Sequence, residues 1–297
     1  MTYVPWGELA TEDFEKADIL LKGIPWDCAA SGGKGAAEAP DRIRQLSKIL
    51  PPITESGIIM DQRFFIKDEG DFDVDLNWER YFRRIREGCR EMFQTGKFCF
   101  FLGGDHSVTI PIEEAFFDVY QGKKAGVIHF DSHCDILNEY CGHQWSHACT
   151  QRRVMEHENA MESGFTFVGI RSWEAGELDF LSKHPEIKVI HAFEIYERGI
   201  KDTIDTLLER YQGFDAIYLT LDIDVLDPAY APGTGTPEGG GLSTREMMQI
   251  IKALFRELPI KAMDIVEVSP PLDSSDITSW AALKIMYEVF GQLCLKK

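Results

Sequence analysis

Three potential metal ligands occupy every second position at the end of the segment from Val127 to Asp135. Asp131, His133 and Asp135 directly follow an apolar run. Side chains alternate between the two faces of an extended backbone, so all three would point the same way if strand geometry continued to the end of the segment. Carboxylates and imidazoles are common protein ligands of divalent ions. The spacing therefore predicts a metal site at the end of a strand, against the alternative of an acidic surface loop.

Three further apolar runs, over 97–102, 216–221 and 260–266, also end in acidic or imidazole side chains. The residues that follow these runs are Asp105 and His106, Asp222 and Asp224, and Glu267. In an open parallel sheet, ligand sites form beyond the carboxyl ends of the strands. Four strands that each bring acids or histidine to that edge predict one shared site.

The elements that must position these residues alternate between strands and helices. We expect strands over 19–23, 57–60, 97–102, 127–130, 165–169, 188–191, 216–221 and 260–266. We expect helices over 40–48, 77–95, 107–120, 147–157, 200–211, 243–257 and 277–293. This order predicts an α/β protein with three layers, α/β/α, around a central, mostly parallel sheet of about eight strands.

No linker or internal repeat interrupts the chain, so residues 1–297 are predicted to form a single domain. Residues 1–17 are expected to be an N-terminal arm or lid, with Pro5 and Trp6 packed on a neighbouring subunit. The glycine-rich segment 24–40 lacks the spacing of a phosphate-binding P-loop and is predicted to be a loop at the sheet edge. A second stretch rich in glycine and proline, 228–241, is predicted to be an ordered loop over the site.

Composition limits the class of protein. The chain has 297 residues and a net charge of −18, which disfavours nucleic acids and anionic membranes as partners. No apolar run approaches the roughly 18 residues of a membrane span. The N-terminus lacks the basic region and apolar core of a signal peptide, and the seven cysteines are scattered. We therefore expect a cytoplasmic protein with reduced thiols.

The ligand inventory at the sheet edge comprises four carboxylates and two imidazoles. These residues are His106, Asp131, His133, Asp135, Asp222 and Asp224. Six ligands exceed the three or four of a single zinc site and suit two divalent ions bridged by shared carboxylates. Oxygen-rich ligands favour two Mn²⁺, although Ni²⁺ or Co²⁺ could use the same set. Such a pair activates water at neutral pH, which predicts hydrolysis at an electrophilic carbon or phosphorus.

Six motifs, in this order, together resemble the ureohydrolase family of arginases and agmatinases. They are Gly-Gly-Asp-His106-Ser, Asp131-Ser-His-Cys-Asp135, Ser-His147-Ala-Cys, Leu-Asp222-Ile-Asp224, Gly-Thr-Gly-Thr-Pro-Glu-Gly-Gly-Gly and Glu267-Val-Ser-Pro-Pro. The similarity runs from about Ile19 to the C-terminus, and the third and sixth motifs are more similar to agmatinases than to arginases. The resemblance implies an arginase-like fold and a homo-oligomer, a trimer or hexamer. It further implies hydrolysis of agmatine to putrescine and urea, a step of polyamine biosynthesis.

The resemblance also implies a role for each site residue. The first ion would be held by His106, Asp131, Asp135 and Asp222, and the second by Asp131, His133, Asp222 and Asp224. Asp131 and Asp222 would bridge the ions, and Asp135 would accept a hydrogen bond from the bridging hydroxide that attacks the guanidinium carbon. Glu267 would pair with the guanidinium of a small cationic substrate. His147 would contact substrate and shuttle protons.

Two segments depart from the family pattern and leave the substrate open. Family members often carry Arg-Pro-Gly in the first loop, where this chain has Ser31-Gly-Gly-Lys34. The residues with which arginases bind an amino-acid head group are not evident after Asp135, where Asn138 is the one candidate for a substrate contact. This difference argues against L-arginine. Guanidinobutyrate, guanidine and arginine nevertheless remain alternatives to agmatine.

Other functions and other roles for single residues also remain open. A metal-dependent amide deacetylase on a related fold would need one zinc and a tyrosine donor, and a non-catalytic metal-binding relative would act through assembly. His106 could instead cap the following helix, His147 could be a surface histidine, and Glu267 could pair with a nearby cation. His129 is expected to be a core residue.

Overall fold

The computed structural model describes residues 4–297 and shows, within them, a single sheet of eight strands. The strands are β1 (Ile19–Gly23), β2 (Ile66–Asp71), β3 (Phe98–Leu102), β4 (Ala125–Phe130), β5 (Phe165–Ile170), β6 (Lys188–His191), β7 (Ala216–Asp222) and β8 (Ile260–Val266). Their order across the sheet is β2-β1-β3-β8-β7-β4-β5-β6. Every pair of neighbouring strands is parallel.

Helices cover both faces of the sheet. They are α1 (Ala39–Ser47), α2 (Trp78–Gln94), α3 (Thr109–Val119), α4 (Thr150–Met155), α5 (Ala175–Lys183), α6 (Ala192–Arg198), α7 (Ile200–Arg210), α8 (Thr244–Glu257) and α9 (Ile277–Leu295). Phe100 and Leu102 of β3 belong to the core with α8 and α9, whereas Cys99 and Phe101 belong to the core with α2 and α3. This alternation along one strand confirms the predicted three-layer α/β/α fold.

One predicted strand was wrong, and the strand at this edge of the sheet was missed. Residues 57–60 form no strand, since Ile59 makes only an isolated bridge with Ile53. The edge strand is instead β2, whose sequence Ile-Lys-Asp-Glu-Gly-Asp carries no apolar run. Its last three residues are exposed, so it does not need the apolar pattern that identifies buried strands. The sequence analysis also missed α5 and α6.

The expected packing of Trp6 on a neighbouring subunit was also wrong. The indole is 2% exposed and packs edge-on against Phe290 of its own chain. Its Nε1 donates a hydrogen bond to Asp68 Oδ2 at 2.7 Å, and its backbone N–H donates to Ser47 Oγ at 2.9 Å. The first three residues of the predicted arm lie outside the described residues. Between residues 4 and 297, none of the helices combines the length and apolarity needed to cross a bilayer.

Candidate metal centre

The four central strands of the sheet bring the predicted ligands to one edge. β3, β8, β7 and β4 are neighbours in that order, and their carboxyl ends lie side by side. His106 follows β3 in a short 3₁₀ helix, Asp131 follows β4, Asp222 is the last residue of β7, and Glu267 follows β8. The apolar runs therefore fix the strands, and the strand order places the polar residues that follow them together.

The first group of ligands surrounds one nitrogen of His106. Its Nδ1 lies 3.1 Å from Asp131 Oδ2, 3.1 Å from Asp135 Oδ2 and 3.3 Å from Asp222 Oδ2. The other ring nitrogen, Nε2, lies 2.9 Å from the Thr220 hydroxyl. This second contact holds the ring so that Nδ1 faces the carboxylates, an arrangement usual for metal-binding histidines.

The second group surrounds His133. Its Nδ1 lies 3.3 Å from Asp131 Oδ1 and 3.2 Å from Asp224 Oδ2. Asp131 therefore presents one carboxylate oxygen to each group of ligands. This is the geometry required of a carboxylate that bridges two ions.

Turns, rather than a continued strand, make these side chains converge. β4 ends at Phe130, so the extended geometry on which the predicted alignment of the three residues depended does not continue through them. Asp131 Oδ1 accepts a hydrogen bond from the N–H of His133 at 2.6 Å, and Asp135 adopts a left-handed φ of 54°. Likewise, Asp222 Oδ1 accepts from the N–H of Asp224 at 2.8 Å. In both segments an aspartate side chain folds back on the backbone two residues ahead.

The donor set fits a pair of divalent ions. Asp131, Asp222 and Asp224 are at most 3% exposed, and burying unpaired carboxylates is costly. Burial, followed by the charges of Asp224 and Asp131, raises the pKa of Asp222 well above its ordinary value. His106 Nδ1 and Asp131 Oδ2 are close together, but within residues 4–297 neither has a partner with hydrogen-bond geometry, as expected for atoms that face a common ion. Two divalent ions would balance the charge of the four carboxylates.

A cavity of about 130 Å³ opens onto this cluster and is strongly acidic. The residues that line it are Ser31, His106, His133, Asp135, Leu137, Tyr140, His147, Ala148, Ser172, Trp173, Glu174, Glu177, Asp222, Thr236 and Glu267. Within the described part of the chain, no lysine or arginine lines this cavity. The cavity is therefore suited to a cationic ligand.

Glu267 lines this cavity and is 5% exposed. Its Oε1 accepts a hydrogen bond from the backbone N–H of His106 at 2.8 Å, and its own φ is 61°. Burial and the charge of Asp105 raise the pKa of Glu267 well above its usual range. Among residues 4–297, no lysine or arginine forms an ion pair with this carboxylate, so a cationic ligand would supply the missing charge.

Comparison with known proteins agrees with this geometry. Residues 17–291 match the model of the arginase family. This chain belongs to the arginase family. It is 34% identical over 282 residues to guanidinopropionase from Pseudomonas aeruginosa, covering 93% of this chain and 86% of that protein. It is also 34% identical over 281 residues to agmatinase from Bacillus subtilis, covering 93% and 92%.

The solved structures give the same result. The crystal structure of agmatine ureohydrolase from Thermoplasma volcanium superposes with a TM-score of 0.86 at 28% identity, covering 98% of this chain and 94% of that one. These comparisons confirm the predicted family, the arginase-like fold and the class of enzyme. The protein is an agmatinase-like hydrolase of the arginase family, and the names of its relatives favour this class of enzyme over a deacetylase.

Three residues near the site of this arginase-family enzyme escaped the sequence analysis. His129, which was expected to be a core residue, is buried, but its Nε2 lies 3.0 Å from Asp131 Oδ2 and its ring stacks on His106. Its position two residues before Asp131 was the available signal. Glu174 and Glu177 line the cavity from the start of α5, a helix that the sequence analysis had missed.

The structure does not bring Asn138 to the cavity. Its side chain is exposed and its Oδ1 accepts a hydrogen bond from Arg153 at 3.0 Å. The loop after Asp135 turns this residue outward, while Leu137 and Tyr140 face the cavity. Asn138 is therefore not among the residues that line the cavity, and its contact with the substrate stays a prediction.

Proposed function

We propose that this enzyme hydrolyses agmatine to putrescine and urea at a pair of divalent ions, with Mn²⁺ as the native metal. The acidic lining of the cavity carries this proposal. Agmatine has a guanidinium at one end and an ammonium at the other, whereas guanidinobutyrate and guanidinopropionate end in a carboxylate. A carboxylate tail would meet Glu174 and Glu177 without a cationic partner in the cavity, so the electrostatics favour a dication.

The metal ligands we propose are those that face one another in the structure. His106, Asp131, Asp135 and Asp222 would hold one ion, and Asp131, His133, Asp222 and Asp224 would hold the other. When bound, such a pair of ions lowers the pKa of a shared water molecule and provides hydroxide at neutral pH.

The other residues bind and orient the substrate and move protons. The Oε2 atom of Glu267 is free to accept from the guanidinium, because Oε1 already accepts from the N–H of His106. This contact would hold the guanidinium carbon above the metal cluster. Asp135 lies on the cavity wall and would orient the attacking oxygen by accepting its hydrogen. His147, which also lines the cavity, would be the source of the proton that the departing amine takes up.

We also infer several broader features of the protein. The whole chain is proposed to form a single domain, because its helices share one continuous sheet. A homo-oligomer, either a trimer or a hexamer, is proposed from the family resemblance. A reducing compartment such as the cytoplasm suits the seven cysteines, all of which are free thiols.

The direct test is urea release by purified, manganese-loaded protein. Agmatine, guanidinobutyrate, guanidinopropionate, arginine and guanidine would be compared by kcat/KM. We expect kcat/KM for agmatine to exceed that for the two guanidino acids by at least tenfold. A tenfold ratio corresponds to about 1.4 kcal/mol of electrostatic preference for the dication. Preferential turnover of a guanidino acid would refute agmatine as substrate and would require a cationic residue to reach the cavity.

A further inference from the structure

Both ring nitrogens of His147 contact the glycine-rich loop of residues 27–35, which contributes Ser31 to the lining of the cavity. Ser31 Oγ lies 2.9 Å from His147 Nε2, and the carbonyl oxygen of Ala29 lies 3.0 Å from Nδ1. Ser146 Oγ is a more distant neighbour of Nδ1, at 3.5 Å. The ring therefore has no free nitrogen that faces the cavity.

The Ala29 carbonyl determines where the ring carries its hydrogen. A carbonyl oxygen can only accept, so Nδ1 of His147 must be the protonated nitrogen. In the neutral ring, Nε2 then accepts from the Ser31 hydroxyl; in the imidazolium, Nε2–H donates to Ser31 Oγ. In either state, the hydroxyl of Ser31 is hydrogen-bonded to Nε2 of His147, and both residues line the cavity.

The backbone around Ser31 is fixed by contacts on both sides. The N–H of Ala29 donates to the buried carboxylate of Asp105 at 2.8 Å, and the N–H of Gly33 donates to the carbonyl of Gly235 at 3.0 Å. At Gly32, a Cβ atom would lie 2.3 Å from the Gly235 oxygen, so only glycine allows this approach. The loop is thus packed closely enough to hold one hydroxyl at a defined position.

We propose that Ser31 is a proton-relay residue that connects His147 to the substrate, an inference that rests on the proposed function. When the C–N bond breaks, its electron pair goes to the amine nitrogen, which takes the proton of Ser31 Oγ. Ser31 Oγ simultaneously takes the Nε2 proton of the His147 imidazolium. The imidazolium loses one proton, the amine gains one, and the serine is unchanged. Asp105 and Ala29 act as positioning residues, since they hold the loop and the ring.

Kinetics of three loop variants test this relay. Ser31→Ala should lower kcat about 100-fold, at the lower end of the usual contribution of general acid–base catalysis, with KM changed less than threefold. Ser31→Thr keeps a hydroxyl and should recover at least a third of the wild-type kcat. Cys28→Ala changes an exposed residue of the same loop that does not touch His147, and it should behave as wild type. Metal content is measured for every variant.

Two kinetic results would overturn the relay. One is a kcat of Ser31→Ala within threefold of wild type while His147→Gln loses 100-fold, which would mean that His147 reaches the substrate directly. The other is an equal loss in Ser31→Ala and Ser31→Thr with a raised KM, which would indicate a role in loop structure alone.

Neutron diffraction from metal-loaded wild-type crystals tests the same inference without turnover. We expect deuterium on Nδ1 of His147, directed at the Ala29 oxygen, and one deuterium shared between Nε2 and Ser31 Oγ. A ring without deuterium on Nδ1 would overturn the relay. If the wild type releases no urea from any guanidino compound, the proposed function fails and the relay to the amine fails with it. The neutron result tests separately whether Nε2 of His147 and Ser31 Oγ share a hydrogen.

Discussion

Replacing Glu267 with glutamine should remove the charge that binds the guanidinium while leaving the surrounding structure intact. Glu267 is 5% exposed, and its Oε1 accepts from the N–H of His106 at 2.8 Å. A glutamine oxygen can make the same hydrogen bond. The glutamine NH₂ group then takes the place of Oε2, where it turns donors toward the donors of the guanidinium.

The size of the effect follows from the loss of one charge-assisted hydrogen bond. Such bonds contribute about 1.5–3 kcal/mol, and each 1.4 kcal/mol is a factor of ten. We therefore expect kcat/KM of Glu267→Gln to fall about 10- to 140-fold. Because Glu267 is not a proposed metal ligand, metal content and melting temperature should match those of the wild type.

Glu174→Gln is the matched comparison, because Glu174 is an exposed carboxylate on the same cavity. The assay is urea release from agmatine and from an alkylguanidine with an uncharged tail. Glu267→Gln should impair both substrates, since both carry the guanidinium. Glu174→Gln should impair agmatine alone, since only agmatine carries the ammonium. If Glu267→Gln retains its metals and its kcat/KM lies within threefold of the wild-type value, the proposal that Glu267 binds the guanidinium is refuted.

Three further predictions concern stability. Chelation of the metals should lower the melting temperature, measured by calorimetry, because the buried carboxylates would lose their counter-ions; an unchanged value would argue against a metal in the native protein. Arg171→Met leaves the carbonyls of Asp224 and Glu238 without the donor that Arg171 provides. It should therefore lower the free energy of unfolding, measured in urea, by about 2–6 kcal/mol, and it should also lower activity. Arg210→Met removes a comparable set of carbonyl contacts at the opposite end of β5, and it should lower the free energy of unfolding without lowering activity. Equal losses of activity in the two variants would contradict a positioning role for Arg171. The hydrogen bonds from Lys252 and Arg245 lower the pKa of Glu55 to about 2 from 4.5, so this carboxylate adds stability above pH 4.5 that is lost as the pH falls toward 2. Glu55→Gln should therefore lower the free energy of unfolding by about 1 kcal/mol at pH 7, after allowance for solvent screening. The difference between variant and wild type should shrink as the pH falls, and a difference that grew in acid would contradict this prediction.

The buried strands were predictable because their sequences are continuous apolar runs. β3, β4, β7 and β8 are enclosed on both faces, and burial requires nearly every residue to be apolar. The polar residues directly after these runs marked the edge of the sheet where the site lies. By contrast, β2 was missed because its residues face solvent at the edge and its sequence carries no signal of burial.

Contacts between distant segments could not be predicted in this way. Asp131 reaches His106 only because β3 and β4 flank β8 and β7 in the sheet, whereas a local turn brings its other oxygen to His133. Likewise, 116 residues separate Ser31 from His147, and their hydrogen bond depends on how two loops pack. The same packing turns Asn138 away from the cavity and brings Glu174 to its wall.

Local sequence patterns thus identified the family, the fold class and the polar residues that gather at the site. These patterns are apolar runs, the residues that end them, and motifs a few residues long. The packing of the folded chain sets which oxygen faces which nitrogen, which carboxylates line the cavity, and what holds His147. Those features depend on strand order and on turns with a left-handed or folded-back backbone, and their energies come from contacts between residues far apart in the chain.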